Sequence, residues 1–511
     1  MFETRTHKSI RNGSVALVFS VILLVLGFFS RRIFIECLGI DLLGLNTTAT
    51  DILGFLNLAE LGIGASVSFA LYTPLSKGNE RDINELVAIQ GWLYRRISIV
   101  VFAGAVCVMA CFPLIFADVS FPFWYVYASF GVYLLFALLG YWFNYQQIVL
   151  IADQREYKVT WCVQGLRSIK ILVQIIGISQ FQLGYEFWII TEIVAALITT
   201  LALRVTIRKT YTWLKPSISK GRELSKSYPD IIRKTKQLVF HRVSEYIIQH
   251  VSTIIVYAFV SLSVVAVYGN YMMLVMNITM LVGAVFNGCT ASIGNLVAEG
   301  NKELITSFYR KYSVIRFWLA SVLCFCFYKL SDDFITVWIG PQYVIDDVSF
   351  LFLTIYAFIA TTRLNDQFIA AYGLYHDTWA PVTEAVLNIG LSVVFGLIWG
   401  LPGIIGGAVC GTFVIVCCWK PYFLFRQGFK LPVLKYLKLI ALSAFIITIA
   451  SVVSCYLYNR VCRTSATDMF GWFVNAAVTI AIYAIISTVL FSLFSRDFKK
   501  TLCALAQSFR I

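Results

Sequence analysis

The chain has 511 residues, of which 59% are hydrophobic, 16% aromatic and only 13% charged. A globular core cannot bury that much apolar surface, so the composition excludes a soluble protein and indicates an integral membrane protein. The formal charge of +14 is spread between the apolar segments instead of forming one patch, which fits membrane topology and argues against a nucleic-acid partner.

Fourteen apolar segments follow one another along the chain, and each is long enough to cross the membrane as a helix. We therefore predict an all-α integral membrane protein, with the first segment retained and not cleaved as a signal peptide. The predicted helices 1 to 14 span 14–38, 43–75, 91–116, 122–151, 159–178, 184–207, 238–261, 265–298, 312–330, 348–373, 379–401, 404–425, 437–457 and 470–494.

An internal repeat divides these helices. A shift of 222 residues places KGNERDI (77–83) on EGNKELI (299–305), each closing a long apolar helix. This predicts two homologous six-helix lobes related by a pseudo-twofold axis along the membrane normal, because six is an even number of crossings. The predicted domains are an N-terminal lobe (1–207), a basic cytoplasmic connector (208–237), a C-terminal lobe (238–425), and the last two helices with a tail (426–511).

The loop charges predict the orientation. The connector holds nine lysines and arginines against two acids, and the C-terminal tail is also basic. The positive-inside rule then places both termini in the cytoplasm. The thirteen cysteines are scattered without zinc spacing, so we expect no metal site, disulfide framework or cofactor.

Charged side chains at membrane depth are costly, which makes each a functional candidate. In predicted helix 5, Gln164, Arg167, Lys170 and Gln174 fall within roughly 120° of one helical face and form a doubly cationic stripe. The alternative is that both cations only reach to the inner membrane surface.

Further candidates lie in six other helices. Near the end of helix 1, Arg31, Arg32 and Glu36 lie in the outer third of the membrane, although Arg32 and Glu36 could simply neutralise one another at i, i+4. The remaining candidates are Glu60 in helix 2, Arg242 and Glu245 in helix 7, Asn270 and Asn277 in helix 8, Arg363 and Asp366 in helix 10, and Glu384 in helix 11. For each asparagine, hydrogen bonding between helices is the alternative.

Several arginines in several helices indicate an anionic ligand, because a guanidinium matches phosphate geometry. Glycines 403, 406, 407 and 411 in helix 12 would allow helices to slide, or would serve static close packing. No Walker loop is present, which argues against ATP coupling, and no predicted outer loop has room for a catalytic domain.

The chain resembles the polysaccharide flippases (Wzx-type) of the multidrug, oligosaccharidyl-lipid and polysaccharide exporter superfamily. The resemblance rests on LGIDLLGLN (38–46), AELGIGASVSFALYTPLSKGNERDI (59–83), VVAVYGNY (264–271), and above all GLYHDTWAPVTEAVLNIGLSVV (373–394) with LPGIIGGAVCGT (401–412). It implies a bacterial inner-membrane protein that alternates between inward-open and outward-open states. Its cargo would be undecaprenyl-pyrophosphate-linked sugar repeat units for capsule, exopolysaccharide or O-antigen, with a polysaccharide polymerase and a chain-length regulator as partners.

We therefore predict a flippase that is a secondary transporter and not an enzyme. The predicted substrate-binding residues are Arg31, Arg32, Gln164, Arg167, Lys170, Arg242, Asn270, Asn277 and Arg363. The predicted ion-coupling residues are Glu36, Glu60, Glu245, Asp366 and Glu384. The alternatives are a drug or cation antiporter of the same fold, and a membrane polymerase or ligase of lipid-linked sugars.

Overall fold

The computed structural model describes residues 5–60, 63–117, 119–229, 252–287, 290–374, 377, 379–461 and 468–508. Nearly all of these residues are helical and none of them forms a strand, which confirms the all-α class. The chain divides into two compact units, Met1–Ala266 and Val267–Ile511, called here the first and the second unit.

Among the described residues from Arg5 to Ser227, the first unit has eight main helices, joined by short helical segments. They are α1 (Arg5–Leu38), α2 (Ile40–Leu56), α3 (Ile63–Lys77), α4 (Glu80–Ala110), α5 (Trp124–Trp142), α6 (Glu156–Ser179), α7 (Tyr185–Thr210) and α8 (Gly221–Ser227). A 3₁₀ turn (Asn57–Glu60) follows α2, and a π turn (Trp161–Gly165) interrupts α6.

Ten further helices lie in the part of the second unit that the structure describes, the first of which begins just before the boundary of this unit. They are α9 (Leu262–Asn287), α10 (Thr290–Glu299), α11 (Lys302–Trp338), α12 (Asp347–Thr361), α13 (Asn365–Ala371), α14 (Trp379–Trp399), α15 (Leu401–Phe429), α16 (Leu434–Val461), α17 (Met469–Phe494) and α18 (Arg496–Ser508). Two π turns, Phe413–Trp419 and Leu424–Phe429, lie within α15.

Twelve helices in the described part of the chain are long and apolar enough to cross a membrane. Predicted helix 2 is not among the twelve because it is divided into α2 and α3, and most of predicted helix 7 lies outside the described residues. The total of fourteen therefore stays a prediction. Predicted helix 9 (312–330) is longer than expected. It corresponds to α11, which begins directly after its N-cap Asn301, in the polar segment that precedes the apolar run.

The repeated KGN and EGN motifs are helix junctions. The helix pair α2 and α3 runs from Ile40 to Lys77, and α9 and α10 run from Leu262 to Glu299, so both limits are displaced by the same 222 residues. The sequence repeat is therefore also a repeat of helix boundaries.

The chemistry of the two junctions is the same. Gly78 and Gly300 have positive φ values of 66° and 73°, a conformation that favours glycine at the end of a helix. In the next residues, the side chains of Asn79 and Asn301 cap α4 and α11 by accepting a hydrogen bond from a backbone N–H three positions on. The motif recurs because in each unit its glycine ends one helix and its asparagine caps the next.

Helices α14 and α15 are in close backbone contact. A Cβ atom added at Gly403 would lie 2.0 Å from the carbonyl oxygen of Phe395, and one at Gly407 would lie 2.4 Å from the carbonyl carbon of Leu391. Only glycine permits this approach, so static close packing explains these residues.

Replacing Gly407 with alanine should lower the free energy of unfolding by about 1–3 kcal/mol, because the added methyl group forces the two backbones apart. The matched control is Gly390→Ala on α14, where nothing lies within 4 Å of the added atom. It should be neutral or slightly stabilising. Denaturant unfolding in detergent measures both variants, and equal stability of the two would contradict the packing described here.

Helices α16 to α18 pack along α11 within the second unit. The rings of Phe325 and Tyr483 stack with centroids 4.2 Å apart, and the indole nitrogen of Trp472 donates a hydrogen bond to the carbonyl of Leu330 at 3.0 Å. The last helix is held by an ion pair between Arg310 and Asp497 at 3.3 Å.

Candidate functional site

The strongest charged cluster of the second unit forms where the predicted helix 10 breaks. Helix α12 ends at Thr361 and α13 begins at Asn365, so Arg363 lies in the irregular segment between them. Non-helical backbone at membrane depth is tolerated only where it is buried in protein or lines a water-filled cavity. This break directs Arg363 to a carboxylate on α14.

Four charged groups alternate in this cluster. A terminal nitrogen of Arg363 lies 2.9 Å from both carboxylate oxygens of Glu384, and its Nε lies 3.4 Å from Asp366. The other oxygen of Asp366 lies 2.7 Å from the ammonium group of Lys420 on α15. We call these four residues the Arg363 cluster. Its formal charge is zero, which is how ionised groups are tolerated away from water.

The structure thus brings together three residues that the sequence singled out, Arg363, Asp366 and Glu384, and adds Lys420. Glu384 is only 1% exposed, so its charge depends on Arg363. Lys420 was missed by the prediction, although a single lysine inside the apolar run of predicted helix 12 is itself a signal.

A further cation, the buried Arg316, was also missed by the prediction and supports the same helix break. Nε of Arg316 on α11 donates a hydrogen bond to the carbonyl of Thr361 at 2.8 Å, and a terminal nitrogen donates to the hydroxyl of Tyr312 at 3.0 Å. Tyr312 in turn donates to the side-chain oxygen of Gln367. The guanidinium satisfies a carbonyl at the end of α12, where the helix dipole favours a positive charge.

In the first unit, the main polar cluster lies at the break between α2 and α3. The hydroxyl of Tyr94 donates to the carboxylate of Glu60 at 3.0 Å, and the hydroxyl of Tyr141 donates to the side-chain oxygen of Asn57 at 2.9 Å. The two tyrosine rings lie 5.4 Å apart, edge to face. Within the residues that the structure describes, no lysine or arginine forms an ion pair with Glu60.

The repeat places different chemistry at equivalent positions. The 222-residue shift maps Tyr94 onto Arg316, and each contacts a broken helix, Tyr94 at Glu60 and Arg316 at Thr361. The equivalent positions therefore carry a neutral hydroxyl in the first unit and a guanidinium in the second, although the two breaks are not themselves related by the shift, since Glu60 maps onto Val282.

The predicted polar stripe of helix 5 is divided on α6. Lys170 forms an ion pair with Glu192 on α7 at 2.5 Å, and Gln174 donates hydrogen bonds to Glu192 and to Thr191, each at 3.0 Å. Arg167, one turn away, is exposed and makes no ion pair with a described residue. Glu192 had not been singled out, although it is an acid in the middle of predicted helix 6.

Gln164 lies within the π turn of α6. Its side-chain oxygen is buried and has no hydrogen-bond partner among the described residues. Such turns are frequent at functional sites because they leave backbone and side-chain groups irregularly placed.

The cations at the end of α1 differ from one another. Arg31 is partly buried and donates a hydrogen bond to the carbonyl of Ala266 at 3.2 Å. Arg32 and Glu36 form an ion pair at 2.7 Å, with 46% and 49% of their side chains exposed. This is the mutual neutralisation that the sequence left open as an alternative.

The two predicted asparagines lie on α9. Asn270 is fully buried within α9 and Asn277 is half-buried. Arg242 and Glu245 lie outside the described residues.

Comparison with known proteins shows the fold. No protein-family model matches the sequence, and no curated protein is significantly similar to it. An inward-facing multidrug resistance MATE transporter of the MOP superfamily matches with a TM-score of 0.61 at 16% identity, over 79% of this chain and 95% of that chain. The lipid II flippase MurJ in an inward closed conformation matches with a TM-score of 0.60 at 14% identity, over 94% of this chain and 100% of that chain.

A third match is a MOP superfamily transporter from Pyrococcus furiosus, described as having a binding pocket of reverse polarity that suggests a different function. Its TM-score is 0.52 at 15% identity, over 83% of this chain and 97% of that chain. The chain therefore has the transporter fold shared by MATE and MurJ proteins.

Proposed function

We propose that this chain is a flippase that moves undecaprenyl-pyrophosphate-linked oligosaccharide repeat units across the bacterial inner membrane. The observation that carries the proposal is the match to the lipid II flippase, which extends over 94% of this chain and all of that one. The MATE matches with TM-scores above 0.5 cover 79–83% of this chain. A likeness that spans nearly the whole chain favours a lipid-linked cargo.

The cations of the first unit suit a pyrophosphate. Arg167 is exposed on α6, without an ion pair among the described residues, and the partly buried Arg31 donates a hydrogen bond to the carbonyl of Ala266. One guanidinium group can donate two parallel hydrogen bonds to the oxygens of a phosphate. Arg31 and Arg167 are therefore the proposed first contacts for the pyrophosphate of the cargo.

In the second unit, Arg363 and Lys420 would bind the pyrophosphate by giving up their carboxylate partners. Arg363 and Lys420 are neutralised by Glu384 and Asp366 in this structure. An incoming pyrophosphate would compete with these carboxylates for the same cations, and the displaced acid could take up a proton or a sodium ion. Such an exchange would make the Arg363 cluster sensitive to cargo and ion together.

Glu60 is our preferred ion-coupling residue. Among the predicted acids, Glu36, Asp366 and Glu384 each have a cationic partner, whereas Glu60 is held by the neutral hydroxyl of Tyr94. A carboxylate without a counterion at a helix break is free to bind a proton or a sodium ion. The membrane potential adds to this drive, since moving an anion to the positive outer side is favoured by about 2.3 kcal/mol per charge per 100 mV.

The second candidate is a cation or drug antiporter of the same fold. It is favoured by the carboxylate of Glu60, which has no cationic partner among the described residues, and by the TM-score of 0.61 with the MATE transporter. The antiporter would export organic cations against protons or sodium, and it would not need Arg167.

Expression in bacteria that lack their own repeat-unit flippase tests the proposal. The chain should restore surface polymer, and Arg167→Ala should reduce it about 10- to 100-fold, because a hydrogen bond to a charged group contributes about 1.5–3 kcal/mol. The control is Arg204→Ala, which removes an exposed arginine of α7. Equal polymer from Arg167→Ala and Arg204→Ala, at equal protein levels, would count against the cationic site.

A further inference from the structure

A basic groove lies in the first unit, between the beginning of α6 and the end of α7. Its volume is about 320 Å³, and its lining includes Lys158 and Trp161 from α6 and Lys209 and Thr210 from α7. None of the residues discussed for the transport site contributes to it. The groove is therefore a separate feature that the proposed function does not use.

The groove combines a polar end with an aromatic wall. The ammonium group of Lys158 donates a hydrogen bond to the hydroxyl of Thr210 at 2.9 Å, which joins α6 to α7 at this point. Lys209 is exposed and has no ion pair among the described residues. Two ammonium groups on one small groove favour an anion.

The surface next to the groove is apolar. Leu201 and Val205 precede Lys209 at intervals of four residues, so they lie on the same face of α7, and they are 60% and 50% exposed. Trp161 is 59% exposed and packs edge to face on Phe19 of α1, with ring centroids 4.9 Å apart. A cationic end, an interfacial tryptophan and an apolar stripe match the order of a phospholipid's headgroup, interface and acyl chains.

The groove also lies at the boundary of the membrane-crossing segments. Helix α6 begins at Glu156 and α7 ends at Thr210, so Lys158 and Lys209 are within one turn of the ends of the two spans. Side chains at the ends of membrane spans are expected to lie near the phosphate groups of the lipid leaflet.

We propose that this groove binds the phosphate headgroup of an anionic phospholipid, with Lys158 and Lys209 contacting the phosphate and the acyl chains lying along Leu201 and Val205. Basic pockets between transmembrane helices are a recurrent means of holding such headgroups. A free phosphate ion shares the headgroup chemistry, but it would make no use of the apolar stripe.

The test is native mass spectrometry of the full-length protein in mixed micelles of phosphatidylglycerol and phosphatidylcholine. The wild type should retain phosphatidylglycerol in preference to phosphatidylcholine. The double variant Lys158→Gln/Lys209→Gln should lose about 25-fold in that preference, at about fivefold for each lysine near the membrane surface. Lys209→Gln alone, which changes an exposed side chain, should lose about fivefold and keeps the test valid if the double variant folds poorly.

The control is Lys215→Gln/Lys220→Gln, which removes the same charge from exposed residues of the connector. It should retain the wild-type preference. Three results would overturn the proposal: no preference in the wild type, an equal loss in the control, or displacement of phosphatidylglycerol by millimolar inorganic phosphate, which would identify a site for the free ion.

Discussion

Replacing Arg363 with alanine should lower the free energy of unfolding by about 3–5 kcal/mol, because it leaves Glu384 as a buried charge without its partner. Transport should be lost in the same variant, since the proposed function uses Arg363 for the anionic cargo. Denaturant unfolding in detergent measures the first effect, and cargo flipping in vesicles measures the second.

The double variant Arg363→Met/Glu384→Leu separates the two effects. It removes both charges and fills their volume with apolar groups, while Asp366 keeps its 2.7 Å ion pair with Lys420. Such replacements are often neutral or stabilising, so stability should return to near the wild-type value. Transport should stay absent. Normal transport by the double variant would show that the pair only supports the fold.

Replacing Glu60 with glutamine should abolish the dependence of transport on an ion gradient. Glutamine keeps an oxygen that can accept the hydrogen bond of Tyr94, but it cannot hold a proton or balance a cation. Gradient-driven export should fall by about tenfold or more, because the loss of one charged interaction of about 1.4 kcal/mol corresponds to a factor of ten. Exchange of cargo at equal ion concentrations should continue. Vesicle uptake with and without an imposed gradient measures both.

The matched control is Glu36→Gln. Glu36 was also predicted to couple ions, but it is half-exposed and paired with Arg32 on the same helix. A surface pair of this kind contributes little, so both transport modes should be unchanged. If Glu36→Gln and Glu60→Gln lose gradient dependence equally, the helix break of the first unit is not the coupling site.

The repeat was the part of the fold that the sequence predicted best. A motif with a glycine for positive φ and an asparagine cap carries its structural meaning locally, so its recurrence predicted two equivalent helix junctions. The helix breaks were not predictable in this way. The only signal at either break is a local loss of the apolar pattern: Asn57 and Glu60 stand just before Gly62, and TTRLNDQ (361–367) is a polar run inside an apolar segment.

Ion pairs within one helix could be predicted from the sequence, whereas ion pairs between helices could not. Arg32 and Glu36 are one turn apart, and the sequence could suggest their ion pair. Lys170 and Glu192 belong to different helices, as do Arg363, Glu384 and Lys420, so only tertiary packing decides which charges meet. The sequence identified charged helices, but not that most of the cations would have carboxylate neighbours.

The most direct measurement is flipping of a pyrophosphate-linked lipid oligosaccharide by the purified chain in sealed vesicles. The cargo is placed in one leaflet, and its arrival in the other is read from cleavage by an added glycosidase. We predict transfer at a rate well above that of protein-free vesicles, without extension of the glycan, and no export of a cationic dye under the same gradient. Dye export without cargo transfer, or glycan extension in the absence of transfer, would contradict the proposal.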